Sequence, residues 1–346
     1  MKKQNLLNIP EFKLPELKLA PQLPAIKPII QGGMAIKIST AKLAAAVANC
    51  GGLGIIAASG LTQEELKSQI REARKYQINK NGLIGINIMF AASDFSILAK
   101  TAMEEGIDVV IFGAGFSRDV FSMGDDTNTP IIPIVSSPKL ARISKKLGAS
   151  SIIVESGEAG GHLGTCEETK KLVAEVRSVL DSDESQDGKH VPIIAAGGAI
   201  SGFDFACLFQ QGAEGIQLGT RFVLSKECEV SEAFKQLYLN IKESDIVKIL
   251  SPVGLQARAI MNDFTRKIIE GTVEKPETCE RCLKKCSRTF CIMKALKNAE
   301  SGNLKEGLVF VGKNVCKIKE ILSVDEIFEN IEKEFRLALT KSQVQV

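Results

Sequence analysis

The chain has only two histidines, and one of them closes the run Glu158-Ala159-Gly160-Gly161-His162. That run follows the apolar segment Ser151-Ile152-Ile153-Val154. If the segment is a parallel strand, His162 leaves its C-terminal end, where α/β barrels assemble their chemistry, and an imidazole there can act as a general base. The plainer reading is a ring bonded to a loop carbonyl; Gly160 and Gly161 on a strand exit weigh toward function. The other histidine, His190, precedes Val191-Pro192-Ile193-Ile194 and falls at the opposite end of the same sheet.

Two further strand exits stand next to each other in order, Ala195-Ala196-Gly197-Gly198 and Gln217-Leu218-Gly219-Thr220. Glycines at paired exits let an anion approach the main chain, and Thr220 adds a hydroxyl donor, so this stretch is expected to hold a phosphate. The alternative is that the glycines only close tight turns. An earlier exit, Gln31-Gly32-Gly33-Met34-Ala35, leaves room at Gly33 for a flat ligand, with Met34 able to pack against its ring. Asn87, flanked by apolar residues in Gly85-Ile86-Asn87-Ile88-Met89, needs partners if buried. Either a neighbouring strand end or the donor and acceptor edge of a heterocycle supplies them.

Cys279, Cys282, Cys286 and Cys291 form C-x2-C-x3-C-x4-C. Four soft ligands in one short segment suit an iron–sulfur cluster or tetrahedral zinc, with free thiols as the alternative. Of the dispersed cysteines, Cys166 is near enough to His162 in sequence to approach the site.

These residues must be positioned by repeated units. From Pro28 to about Phe222 short β-branched runs alternate with segments of helical period. Strands are expected at 29–30, 53–57, 83–89, 108–112, 131–135, 151–154, 191–195 and 215–218. Helices are expected at 40–48, 63–76, 137–147, 167–180 and 202–211, with the acidic stretch 181–188 as an exposed loop. Eight βα units in this length predict an α/β fold, a closed (β/α)8 TIM barrel. An N-terminal arm (1–27), a barrel (28–240) and a C-terminal helical, cysteine-bearing lid (241–346) with a late strand at 308–311 are the expected divisions.

The 346 residues are 45% hydrophobic, enough for one large core, and the net charge of +3 leaves no electrostatic footprint for nucleic acid. No Trp and two Tyr give no base-stacking surface. No apolar run reaches membrane-spanning length and no signal-peptide core is visible, so a cytoplasmic protein is expected.

Taken together, Pro28 to Ala35, Gly51 to Gly54, Asn87, Glu158 to His162, Ala196 to Gly198 and Gln217 to Phe222 resemble the nitronate monooxygenase family, which includes the flavin-dependent enoyl-acyl-carrier-protein reductases. The resemblance continues into Ser251-Pro252-Val253-Gly254 and Arg258-Ala259-Ile260. It implies bound FMN. Phosphate would sit at Gly198, Gly219 and Thr220, the ring near Gly33, Met34 and Asn87 with Glu155 beside it, and His162 would face the substrate. Gly160, Gly161, Gly197, Gln217 and Leu218 complete the expected cofactor-binding set. One implied activity is oxidation of alkyl nitronates to carbonyl compounds and nitrite with oxygen; the other is NAD(P)H-dependent enoyl reduction. Glu155 tells against the first unless burial raises its pKa, since a carboxylate disfavours negative charge on a flavin. A homodimer is compatible with either. A barrel akin to IMP dehydrogenase, with Cys166 as nucleophile, and a non-enzymatic flavin or metal sensor are the readings outside the family.

Overall fold

The computed structural model describes residues 13–344; residues 1–12 of the expected arm lie outside it. The first strands and helices alternate in chain order: β1 (Ile29–Gln31), α1 (Ala41–Asn49), β2 (Leu53–Ala57), α2 (Gln63–Tyr76), β3 (Leu83–Met89), α3 (Phe95–Glu104), β4 (Val109–Gly113) and α4 (Asp119–Thr127). The second half runs β5 (Ile131–Val135), α5 (Pro138–Lys146), β6 (Ile152–Glu155), β7 (Gly161–Leu163), α6 (Thr169–Asp187), β8 (Ile193–Ala196), α7 (Gly202–Phe209), β9 (Gly215–Leu218) and the single turn α8 (Thr220–Val223). All strands but β7 close one parallel barrel in the order β1-β2-β3-β4-β5-β6-β8-β9, with Ile29 opposite Ile216 at the seam.

The barrel strands are near-continuous apolar runs because the helices cover one face and the interior fills the other. Ile30, Leu53, Ile55, Val109, Ile111, Ile132, Ile153 and Ile194 pack inside, and Leu17, Leu19 and Ile26 plug the N-terminal end. A bridge between Leu17 and Ile26 folds that plug back on itself.

Two expectations change. The acidic stretch is helical through Asp187, where Gly188 ends the helix with a left-handed φ of 67°. Arg177 meets Asp181 one turn on at 2.6 Å, and Arg142 and Lys145 of α5 meet Asp183 and Asp187 at 2.9 and 3.0 Å. Cation partners on two helices hold in a helix what composition alone assigns to a loop. The late strand at 308–311 appears only as an isolated bridge, Phe310 to Ala259, beside a hydrogen bond from Ile260 N–H to Val309 O.

Beyond the barrel, α9 (Glu232–Asn240), the hairpin β10 (Ile246–Leu250) and β11 (Gln256–Ile260), α10 (Asp263–Glu270) and α11 (Ile292–Ser301) build the lid. The last helix, α12 (Val324–Val344), returns to the barrel wall against α7 and α1, where Phe335 packs on Phe205 with ring centroids 4.7 Å apart. It occupies the outer-ring place that the four-residue α8 cannot fill. Among the described residues no helix is long and apolar enough to cross a membrane.

Packing of α1 on the sheet leaves no space at Gly54, where an added Cβ would stand 1.9 Å from the Ala44 carbonyl oxygen. Backbone cannot yield as a side chain can, so Gly54→Ala is expected to cost about 3 kcal/mol, the upper end of overpacking penalties. Urea unfolding measures it; a midpoint equal to that of the parent chain would show that α1 can shift freely.

Candidate active site

A cavity of about 450 Å³ opens at the C-terminal ends of the barrel strands. Gly33, Met34, Asn87, Glu155, Gly160, Gly161, His162, Gly197, Gly198, Gln217, Gly219 and Thr220 all line it. Leu218 does not; it is buried in the core, and its carbonyl accepts the Gly32 N–H at 2.9 Å, tying the first strand exit to the last. Gly33 is required by its neighbour, because an added Cβ would fall 2.2 Å from the Asn87 Cβ. Gly197 and Gly198 take φ values of 111° and 73°, which a turn this tight reserves for glycine.

His162 is not on a free loop. It lies in β7, which pairs antiparallel with β11 of the lid, Ala257 opposite His162 and Arg258 opposite Gly161. The Arg258 guanidinium is buried and donates to the carbonyls of Ala159 and Gly157, so a lid cation grips the turn leading into the histidine. His162 Nε2 is 2.8 Å from Ser251 Oγ in the turn joining β10 to β11, and Phe310 meets the imidazole edge-on with centroids 5.4 Å apart. Ser251 and Arg258 were visible only within the family-like segments. Phe310 carried no signal beyond its place in an apolar run.

Burial sets the electrostatics. It drives the His162 pKa down to about 4, leaving the ring neutral near pH 7, and lifts Glu155, at the end of β6, to about 7. Two polar groups face the cavity without protein partners: Gln217 Oε1 is buried and unpaired, and the Asn87 carboxamide makes no hydrogen bond. His190 lies at the far end of the barrel between Glu184 and Glu214, at 2.9 and 3.0 Å.

The cysteine segment roofs the mouth. Cys282 lines the cavity; Cys279 and Cys286 are exposed. Burial, then the charges of Cys291, Cys286 and Cys279, push the Cys282 thiol up to about 11. Among the described residues no three His, Cys, Asp or Glu side chains are gathered as a metal's ligand set, so the expected cluster is not assembled in this conformation. Cys166 is exposed and does not line the cavity, leaving a cysteine-nucleophile barrel without its nucleophile.

The nitronate monooxygenase family model matches residues 18–334, which contain the whole barrel and every element of this cavity. The chain belongs to the nitronate monooxygenase family. Over 245 residues it is 31% identical to a (3aS,4S,5R,7aS)-5-hydroxy-7a-methyl-1-oxo-octahydro-1H-indene-4-carboxyl-CoA dehydrogenase of Mycobacterium tuberculosis, covering 71% of this chain and 66% of that one. The chain thus spans slightly less than two thirds of that relative's length. A probable nitronate monooxygenase of Staphylococcus aureus is 27% identical, with 72% and 79% covered. Among solved structures, FabK from Thermotoga maritima superposes with a TM-score of 0.81 at 34% identity, covering 92% of this chain and 96% of the other.

The two shifted groups pull stability in opposite directions with pH. His162 has a folded pKa below its usual value, so the unfolded chain binds more protons between about 4 and 6.5 and stability rises with pH there. Glu155 has a folded pKa above its usual value, so the native family member binds more protons between 4.5 and about 7 and stability falls with pH. From 4.5 to 6.5 the slopes largely cancel. Glu155→Gln removes the falling one and is expected to unmask a rise with pH, with a gain of roughly 1–3 kcal/mol at pH 8. Urea midpoints for both proteins across pH 4 to 8 check this; parallel curves would show that Glu155 is solvated.

Proposed function

We propose that this family member is an FMN-dependent oxidoreductase that oxidises alkyl nitronates to carbonyl compounds and nitrite. The observation that carries the reading is a neutral histidine and a carboxyl lifted to about pH 7 facing one apolar cavity. Below about pH 7 Glu155 is mostly protonated and places no negative charge against a reduced cofactor, which weakens the objection its residue type raises.

The residues present fit FMN. Unpaired Gln217 Oε1 and the free Asn87 carboxamide suit the polar edge of its ring, the missing side chain of Gly33 lets Asn87 pack directly on the first strand exit, and Gly197, Gly198, Gly219 and Thr220 would hold its phosphate. Bound there, FMN supplies the electron acceptor that no side chain provides. Ser251 Oγ can accept from His162 Nε2–H, which leaves the Nδ1 lone pair to take the α-proton of a neutral nitroalkane. Phe310 packs edge-on against the imidazole.

A second reading, NAD(P)H-dependent reduction of an enoyl thioester, has two observations in its favour. The cavity continues between α9 and α11 along Phe234, Tyr238, Met293 and Leu296, an apolar extension longer than a small nitronate needs. The M. tuberculosis relative named for a CoA ester points the same way.

The test begins with flavin released from the denatured protein, expected to be FMN; recovery of FAD would reject the phosphate assignment. Anaerobic mixing then separates the readings, because bleaching by nitronate alone supports the oxidation and bleaching only by NADH or NADPH supports the reduction. His162→Asn is expected to slow turnover of a neutral nitroalkane by about 10² to 10⁴-fold while largely sparing the preformed nitronate. Unchanged rates with flavin fully loaded would make His162 a structural residue.

A further inference from the structure

The roof of the cavity contains a backbone pattern that the oxidoreductase reading does not use. Arg281 and Arg288 adopt left-handed φ values of 51° and 56°, and each is the second residue after a cysteine. Each also donates its N–H to that cysteine's sulfur, Arg281 to Cys279 Sγ and Arg288 to Cys286 Sγ, both at 3.4 Å. A non-glycine residue held this way costs about 1–3 kcal/mol, and such strain persists where ligand clamps over-determine it. The segment has little core of its own to do so: residues 284–289 are exposed, and Leu283 is only partly buried.

Backbone N–H groups turned onto sulfur supply the outer-shell hydrogen bonds that a metal-bound thiolate accepts, and basic side chains predominate around the segment. Arg281, Lys284, Lys285, Arg288 and Lys294 outnumber Glu277 and Glu280, while Cys291 is the N-cap of the ten-residue α11. We propose that Cys279, Cys282, Cys286 and Cys291 form a four-thiolate metal centre, taking zinc or an iron–sulfur cluster, whose binding draws the four sulfurs together. Thiol protons go to solvent as the metal–sulfur bonds form. The centre fastens a strap across the cavity mouth. On one side Ser93 N–H donates to Cys282 O at 3.1 Å and Lys284 N–H to Ala91 O at 2.9 Å, beyond the end of β3; on the other Ser287 N–H donates to Pro252 O at 3.0 Å, in the turn that holds His162.

The test uses the full chain. Protein prepared without oxygen is assayed for zinc, iron and acid-labile sulfide, with about one tetrathiolate centre per chain expected. Zinc alone identifies an ion; iron with sulfide identifies a cluster. Metal-stripped chain is then titrated with Co(II), whose tetrahedral thiolate bands in the red are clear of flavin absorption. Cys286→Ser, checked for native circular dichroism, is expected to weaken Co(II) binding by more than the roughly 100-fold that losing a mere outer-shell partner costs. Alkylation of the unsubstituted protein with and without one equivalent of zinc gives a readout independent of any variant, with protection of all four thiols expected. No metal under either preparation, alkylation unchanged by zinc, or Co(II) binding undiminished in Cys286→Ser would each overturn the proposal.

Discussion

Three residues of β7 paired with β11 decide the architecture of the working end. This short antiparallel contact, Gly161 to Leu163 against Gln256 to Arg258, is where the lid takes hold of the barrel. Arg258 reinforces it from beneath by satisfying the carbonyls of Gly157 and Ala159 with a buried cation. A charge-assisted bond in a desolvated place is stronger than a neutral one, and without Arg258 two carbonyls would lose their partners. The catalytic candidate therefore belongs mechanically to the lid as much as to the barrel.

The same burial that fixes His162 also determines its chemistry. Enclosed by Phe310, Ser251 and the cavity wall, the imidazole is neutral near pH 7, and Glu155 in the same cavity holds its proton more tightly than an ordinary carboxyl. Neither residue has a counter-ion, so desolvation governs both. The opposite end of the barrel follows other rules. There Glu184 and Glu214 pair with the half-exposed His190 and with the largely buried Arg177, so opposite charge and not desolvation alone governs the groups.

Much of the barrel was legible because its signal is local. Buried parallel strands must be short apolar runs, and β2, β3 and β5 fall on the expected residues; the glycine exits declare themselves because only glycine accepts the backbone angles at Gly197 and Gly198. Helices α3 and α4 were less plain. The extension of α6 through Asp187 was missed because its support, Arg142 and Lys145 of α5, comes from another helix. The late strand at 308–311 was over-read, since an apolar run can as well line a cavity as enter a ladder.

By itself, then, the amino-acid order determined the eight-fold alternation, the end of the barrel where chemistry collects, and most of the residues that face it. Each follows from side-chain period, glycine stereochemistry or strand polarity, which act over a few residues. The tertiary structure alone decided that His162 sits in a strand of the lid's sheet, that Arg258 grips its turn and that Leu218 faces the core. It also decided that α12 completes the outer ring. Those outcomes depend on contacts between residues up to about three hundred positions apart, and on water excluded only once the lid has closed over the barrel.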